Sequence, residues 1–167
     1  MSKPDSGLFT GTIGCRASFS FAMENELYAS VLHWVDTKLK ELPSKTRRKI
    51  NTVCVAYDET TDKYYYGYNG GYLKEGYIRN PKLFGDKDTS GLLPPKSLND
   101  FPVGNCAEVD AVNHALNDGA ELSHLRILTI HTTKKLFGVY KPACENCRYA
   151  FKGKIKANYS GWKGYKT

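Results

Sequence analysis

The segment from Gly104 to Leu116 reads GNCAEVDAVNHAL, and its first turn governs how the rest of the chain is read. From Ala107 onward, Val109, Val112 and Leu116 recur at helical spacing and form one apolar face. Cys106 and Glu108 stand where a helix has unpaired backbone N–H groups and the positive end of its dipole. That position favours a thiolate over a thiol. A second helix start follows in KPACENCRYAF, residues 141–151, where Pro142 suits a first-turn position. Cys144 and Cys147 are three apart, so one helical turn can aim both at one point.

Between the two segments lies one strand, RILTIHT, from Arg126 to Thr132. A right-handed crossover then places both helices on one face of a sheet with their N-termini side by side. Cys106, Cys144 and Cys147 are thereby expected to meet as metal ligands. Three protein ligands leave one tetrahedral position open, the arrangement of catalytic zinc; structural sites are closed by four. Closure would need His124 or His131 to turn inward, or Cys15 or Cys54 to arrive from far upstream, and none has finger or ribbon spacing. Glu108, two residues from a ligand on the same turn, is placed to accept a proton from water and return it to a leaving amine.

The 167 residues suit one domain, large enough to bury a core without disulfides. Five cysteines, an odd number with two in a C-x-x-C, argue for metal or reactive thiols before a disulfide framework. No run approaches a membrane span, and the N-terminus lacks the apolar stretch and cleavage site of a signal peptide. The net charge of +7 is uneven: the stretch from Arg148 to the end carries six cations and no acid. Tyr149, Phe151, Tyr159, Trp162 and Tyr165 are interleaved with them. Cations that neutralise phosphates beside rings that stack on bases suggest a nucleic-acid contact. The candidates are Lys152, Lys154, Lys156, Trp162 and Lys163.

Leu27, Val31, Val35, Leu39 and Leu42 predict an amphipathic helix over 23–42, ended by Pro43. TVCVAYD (Thr52 to Asp58) and KYYYGYN (Lys63 to Asn69) predict a hairpin. Residues 70–104 are rich in Gly, Pro and Asp without a sustained period, a long loop of the functional kind. Helix, strand, strand, helix, strand, helix is an α/β layered pattern. The expected organisation is one domain: residues 1–50 an N-terminal extension and helix, 51–151 the core, 152–167 a basic aromatic tail.

Cys-Ala-Glu at 106–108 followed by Pro-x-Cys-x-x-Cys at 142–147 resembles the zinc signature of the cytidine deaminase-like superfamily. In that chemistry a zinc-activated water attacks the amino-bearing carbon, and a glutamate that is not a ligand moves the protons. Most nucleic-acid-editing members have His as the first ligand, so Cys106 is a departure. It is similar instead to three-cysteine nucleoside deaminases and to bacterial polymorphic-toxin deaminases, the YwqJ-like group especially. The resemblance implies a three-layer sandwich, with a central mixed sheet and the two zinc-binding helices on one face. It implies Zn2+ as cofactor and hydrolytic conversion of cytosine to uracil, DNA being favoured over RNA. It also implies an immunity protein as partner, a monomer, and action in the bacterial cytoplasm after delivery on a secreted toxin. Asn69 at the strand end is expected in the substrate pocket, with Tyr68, Phe84, Asn105 and Ala107 around it. Arg148, next to Cys147, is a guess for the cation that offsets three thiolates.

Two other readings stay open. A free cytidine deaminase commonly grips ribose with an Asn-x-Glu-Asn strand end, whereas Gly70, Gly71 and Tyr72 follow Asn69 here. A zinc-stabilised nucleic-acid-binding module would have no use for Glu108.

Overall fold

The computed structural model describes residues 13–164, with side chains from residue 18 onward. Cys15 and Tyr165, named above, and the cation Lys166 of the C-terminal stretch fall outside the described side chains. The chain forms α1 (Ile13–Thr37), α2 (Ser44–Arg47), β1 (Thr52–Asp58), β2 (Lys63–Tyr68), α3 (Pro81–Phe84), α4 (Ala107–Asn117), β3 (Leu125–His131), α5 (Glu145–Phe151) and β4 (Ala157–Asn158). The strands make one mixed sheet in the order β2-β1-β3-β4. β1 is antiparallel to β2 and β3, and β4 runs parallel to β3.

All seven residues of β1 are buried, as a central strand covered on both faces requires. The two-residue period then sorts its side chains into two cores. Val53, Val55 and Tyr57 join Leu128 and Ile130 beneath Leu27, Val31 and Val35 of α1. Cys54 and Ala56 join Leu125 and Ile127 beneath Val109, Val112 and Leu116 of α4 and Ala150 and Phe151 of α5. Helices therefore cover both faces, with α4 and α5 together on one. Among the described residues no helix is long and apolar enough to cross a membrane.

Three boundaries differ from the sequence reading. α1 stops at Thr37 and a 3-10 turn, Leu39–Glu41, carries the chain on. Pro43 forces extended backbone on the residue before it, and Leu42 duly has ψ of 153°. Pro142 is not in the first turn of α5. It precedes an extended Ala143 whose N–H donates to the Gly161 carbonyl at 2.9 Å, while the Lys163 N–H donates to the Ala143 carbonyl at 2.7 Å. That pairing holds the chain straight until Cys144, which becomes the N-cap. Beyond Phe151, in the stretch read as a tail, β4 adds a strand to the sheet, and the Ser160 hydroxyl joins both the N–H (2.7 Å) and the carbonyl (3.0 Å) of Thr129.

The long segment 70–104 is staked to the two cysteine-bearing helices. Asn113 of α4 accepts from the Asn80 N–H at 2.7 Å and donates to the Ile78 carbonyl at 2.8 Å. Asn146 of α5 accepts from the Leu98 N–H at 2.8 Å. Asp110 of α4 accepts from the Tyr68 N–H at 3.0 Å and from the Tyr77 hydroxyl at 2.7 Å. The approach of β2 to α4 leaves no room for a side chain at Gly67, where a Cβ would lie 2.2 Å from the Ala111 nitrogen.

Candidate metal centre

Cys106 and Cys144 are the N-caps of α4 and α5, both with extended backbone and neither with a side-chain capping bond. A polar cap would turn its oxygen back onto the helix N–H groups; cysteine leaves its sulfur free to point elsewhere. The sulfurs of Cys106 and Cys144 are 2.8 Å apart, and with Cys147 all three lie within 4.8 Å of one another. Zinc–sulfur bonds of about 2.3 Å in a tetrahedron put sulfurs about 3.8 Å apart, so the trio has the span of one ion. Cys144 and Cys147 are buried and Cys106 is partly so. His124 and His131 stand outside the group, so among the described residues three thiols are the whole set.

Glu108 sits one residue into α4 from Ala107 and is completely buried. Its Oε1 is 3.9 Å from the Cys147 sulfur, and its Oε2 has no hydrogen-bond partner. A buried carboxylate oxygen with no partner is costly, and such groups are ordinarily satisfied. Burial pushes the Glu108 carboxyl above its ordinary range, against the pull of Lys141. Cys144 is the thiol driven downward, by hydrogen bonds from Cys106 and Cys147 and by the charge of Lys141. Cys147 is held protonated by its neighbours' hydrogen bonds and by burial. The donor set is soft and matches zinc, and the Glu108 carboxyl, one oxygen of it orphaned, lies against one of its sulfurs.

Lys141 is the residue that sequence reading missed. Burial pulls its ammonium down, yet Glu108 and all three thiols together hold it above its ordinary value. Three thiolates and a zinc ion sum to −1, and Lys141 cancels that charge locally. The sign that marks it is a lysine directly before the Pro-x-Cys-x-x-Cys run. Arg148, the cation expected in this role, is not among the charges that act on the thiols; its guanidinium lies near Gly164.

The other expected residues divide into two groups. Ala107 is buried in the core with Cys144, and Asn105 is fixed by its carbonyl, which accepts from the Gly70 N–H at 2.8 Å. Phe84 packs against Gly104, stacks on Tyr72 at 6.5 Å and lies under the Arg79 guanidinium at 5.3 Å. These three border the thiols. Tyr68, by strand alternation, turns its ring to the opposite face and stacks on Trp34. The Asn69 amide is spent on backbone: it accepts from the N–H groups of Asn51 and Thr52 and donates to the Lys49 carbonyl.

The cationic aromatic stretch is not gathered at the thiols as a free arm. Tyr159 accepts from Arg126 at 2.7 Å, Trp162 packs on the core beside Ala143, and Lys156 pairs with Glu59 at 3.3 Å. Lys152, Lys154 and Lys163 are exposed. Comparison with protein-family models, curated proteins and solved structures finds no match to this chain.

Proposed function

We propose that the protein is a zinc-dependent cytosine deaminase acting on nucleic acid, of the cytidine deaminase-like superfamily and its bacterial toxin branch. One observation carries the reading. The fully buried Glu108, with an unpartnered oxygen, lies 3.9 Å from one of three clustered sulfurs delivered by two helix starts. A structural site has no need of an ionisable group desolvated beside it, whereas a proton carrier must be placed there. Two helices on one face of a mixed sheet, with α1 on the other, also suit the three-layer sandwich that the resemblance implies.

Cys106, Cys144 and Cys147 would hold the zinc. Bound there, the ion supplies Lewis acidity and makes water nucleophilic near neutral pH. Glu108, raised by burial toward the working pH, takes the proton released as water adds to the ring and returns it to the departing amino group. Water is consumed, ammonia leaves and cytosine becomes uracil. Lys141 favours the ionised form of Cys144 while its charge also steadies the carboxylate. Asn105, next to the partly exposed Cys106, and Phe84, packed on Gly104, would meet the substrate.

The test is a conversion assay on cytidine, single-stranded DNA, duplex DNA and RNA, run with wild type and Glu108→Ala. Uracil formed in a polymer and lost in the variant supports the reading and names the substrate. Conversion of free cytidine alone would make it a nucleoside enzyme. Silence on all four would falsify cytosine deamination.

A further inference from the structure

Residues 44–49 read SKTRRK, four cations in six positions, with no acid between Glu41 and Asp58. α2 gathers them at one corner of the fold. Lys45 and Lys49 line a cleft of about 610 Å3 together with Lys74, Tyr68, Asn69 and Asn105. The cleft carries three lysines and no carboxylate. Lys45, Arg47, Arg48, Lys49 and Lys74 are all exposed, and among the described residues none is paired with an acid. This concentration is built into the fold. The Asn69 side chain ties the backbone of 49–52 to the end of β2, so Lys49 is held on the cleft that Asn105, the residue before Cys106, also lines.

Like charges at one corner repel each other, and no acid among the described residues offsets them; only Arg47 has a partner, donating to the Lys40 carbonyl at 3.4 Å. A polyanion supplies what they lack. Next to Gly71 and Asn105 of the cleft in sequence, Tyr72 and Gly104 meet Phe84: Tyr72 stacks with Phe84, and the exposed Arg79 lies over both rings at 5.2 and 5.3 Å. A basic cleft continuous with a ring-and-guanidinium platform is the pairing that tracks a single-stranded backbone and stacks its bases. The C-terminal cations have no such continuity. Of their aromatic neighbours Phe151 and Trp162 pack into the core and Tyr159 is bonded to Arg126, only Tyr149 among the described ones being exposed, and Lys154 lines a separate cleft that contains Glu121.

We propose that the cleft of Lys45, Lys49 and Lys74 binds the phosphodiester backbone of single-stranded nucleic acid, and that the C-terminal basic segment does not. The proposal rests on the deaminase reading only for the direction in which a base is presented, toward Cys106 and Glu108. Binding is therefore measured without turnover, by fluorescence anisotropy of a labelled oligothymidylate, which has no cytosine to convert. The triple variant Lys45→Gln, Lys49→Gln, Lys74→Gln is expected to bind on the order of tenfold or more weakly at low salt. The slope of log affinity against log salt should fall by about 2, each single-strand phosphate contact contributing about 0.7. Lys45→Arg, Lys49→Arg, Lys74→Arg should bind like wild type, which separates charge from misfolding. Lys152→Gln, Lys154→Gln, Lys163→Gln should leave affinity and slope unchanged. Unchanged binding by the cleft variant, or a loss carried by the C-terminal variant, overturns the proposal. Loss of cytosine conversion with binding intact would count against the enzyme reading and leave this surface standing.

Discussion

The sulfur of Cys147 stands 3.9 Å from Oε1 of Glu108, and both side chains are fully buried. Two more thiols share that space, and Lys141 is the cation that faces all four groups. Charges of one sign crowded into a dry interior are held apart by several kcal/mol each unless compensated. Keeping their protons relieves the groups in the metal-free chain; a divalent cation relieves them in a way that leaves the thiolates ionised.

Metal should therefore be part of the fold's stability. Protein prepared with zinc is expected to hold about one ion per chain. Chelation should lower Tm by more than about 5 °C, since each kcal/mol is worth roughly 2–4 °C at this size. Cys106→Ser, Cys144→Ser and Cys147→Ser should each lose the ion. Cys54→Ala, whose thiol lies within β1 and outside the group, should keep it. Elemental analysis and thermal unfolding decide the point, and retention of zinc by all three serine variants defeats it.

Glu108→Gln separates the roles of ligand and proton carrier. The amide keeps the shape and cannot carry the proton, so zinc content should be unchanged while turnover falls by about 10²–10⁴. Zinc lost along with activity would make Glu108 a ligand.

Lys141 makes a prediction about pH. Its positive charge favours the thiolate form of Cys144, so removing it makes ionisation harder. In Lys141→Met, half-saturation in a zinc competition titration should move to higher pH. Arg148→Ala should leave it in place, its guanidinium lying near Gly164 and not among the charges that act on the thiols. An unmoved midpoint in the methionine variant removes Lys141 from the site.

Gly71 faces the Asp110 carboxylate so closely that a Cβ would lie 2.2 Å from Oδ2. Gly71→Ala must push β2 and its following turn off α4, an overpacking cost of about 1–3 kcal/mol. The shift runs into Gly70 and its bond to Asn105, so zinc affinity should fall together with stability. Chemical denaturation and zinc competition on the same variant check both halves.

How much of this was legible in the sequence follows from the range of the interactions. β1 was readable to the residue because a strand buried on both faces is a continuous apolar run. The meeting of Cys106, Cys144 and Cys147 followed from one strand lying between two helix starts. The start of α5 was placed three residues early, at Pro142 and not Glu145, because Ala143 is held extended by Gly161 and Lys163, partners about twenty residues away that no local pattern reveals. Trp162 and Tyr159 read as stacking residues for the same reason. Their spacing among lysines is a local signal, and their burial is set by the pairing of β4 with β3. Lys141 was passed over because a lysine before a proline has no meaning until the fold turns it toward Glu108.

Glu59 shows how that distal segment is fastened. Oε1 accepts from Arg126 Nε at 2.9 Å and Oε2 pairs with Lys156 at 3.3 Å, with the glutamate side chain 24% exposed. Burial alone would push the carboxyl up, but Arg126 and Lys156 outweigh it and hold it below its ordinary value. A lowered value in the folded state means that the unfolded chain binds the proton more tightly. The stability is therefore present above the unfolded value near 4.5 and is lost as pH falls through the folded one. Glu59→Gln should cost about 1–2 kcal/mol at pH 7, the gap to wild type closing below about pH 4. Because Lys156 leads into β4 and β4 into Trp162 beside Ala143, the variant should also loosen zinc at neutral pH. Denaturation curves from pH 3 to 8 measure the first effect, and a constant gap across that range would remove the carboxylate's charge from the explanation.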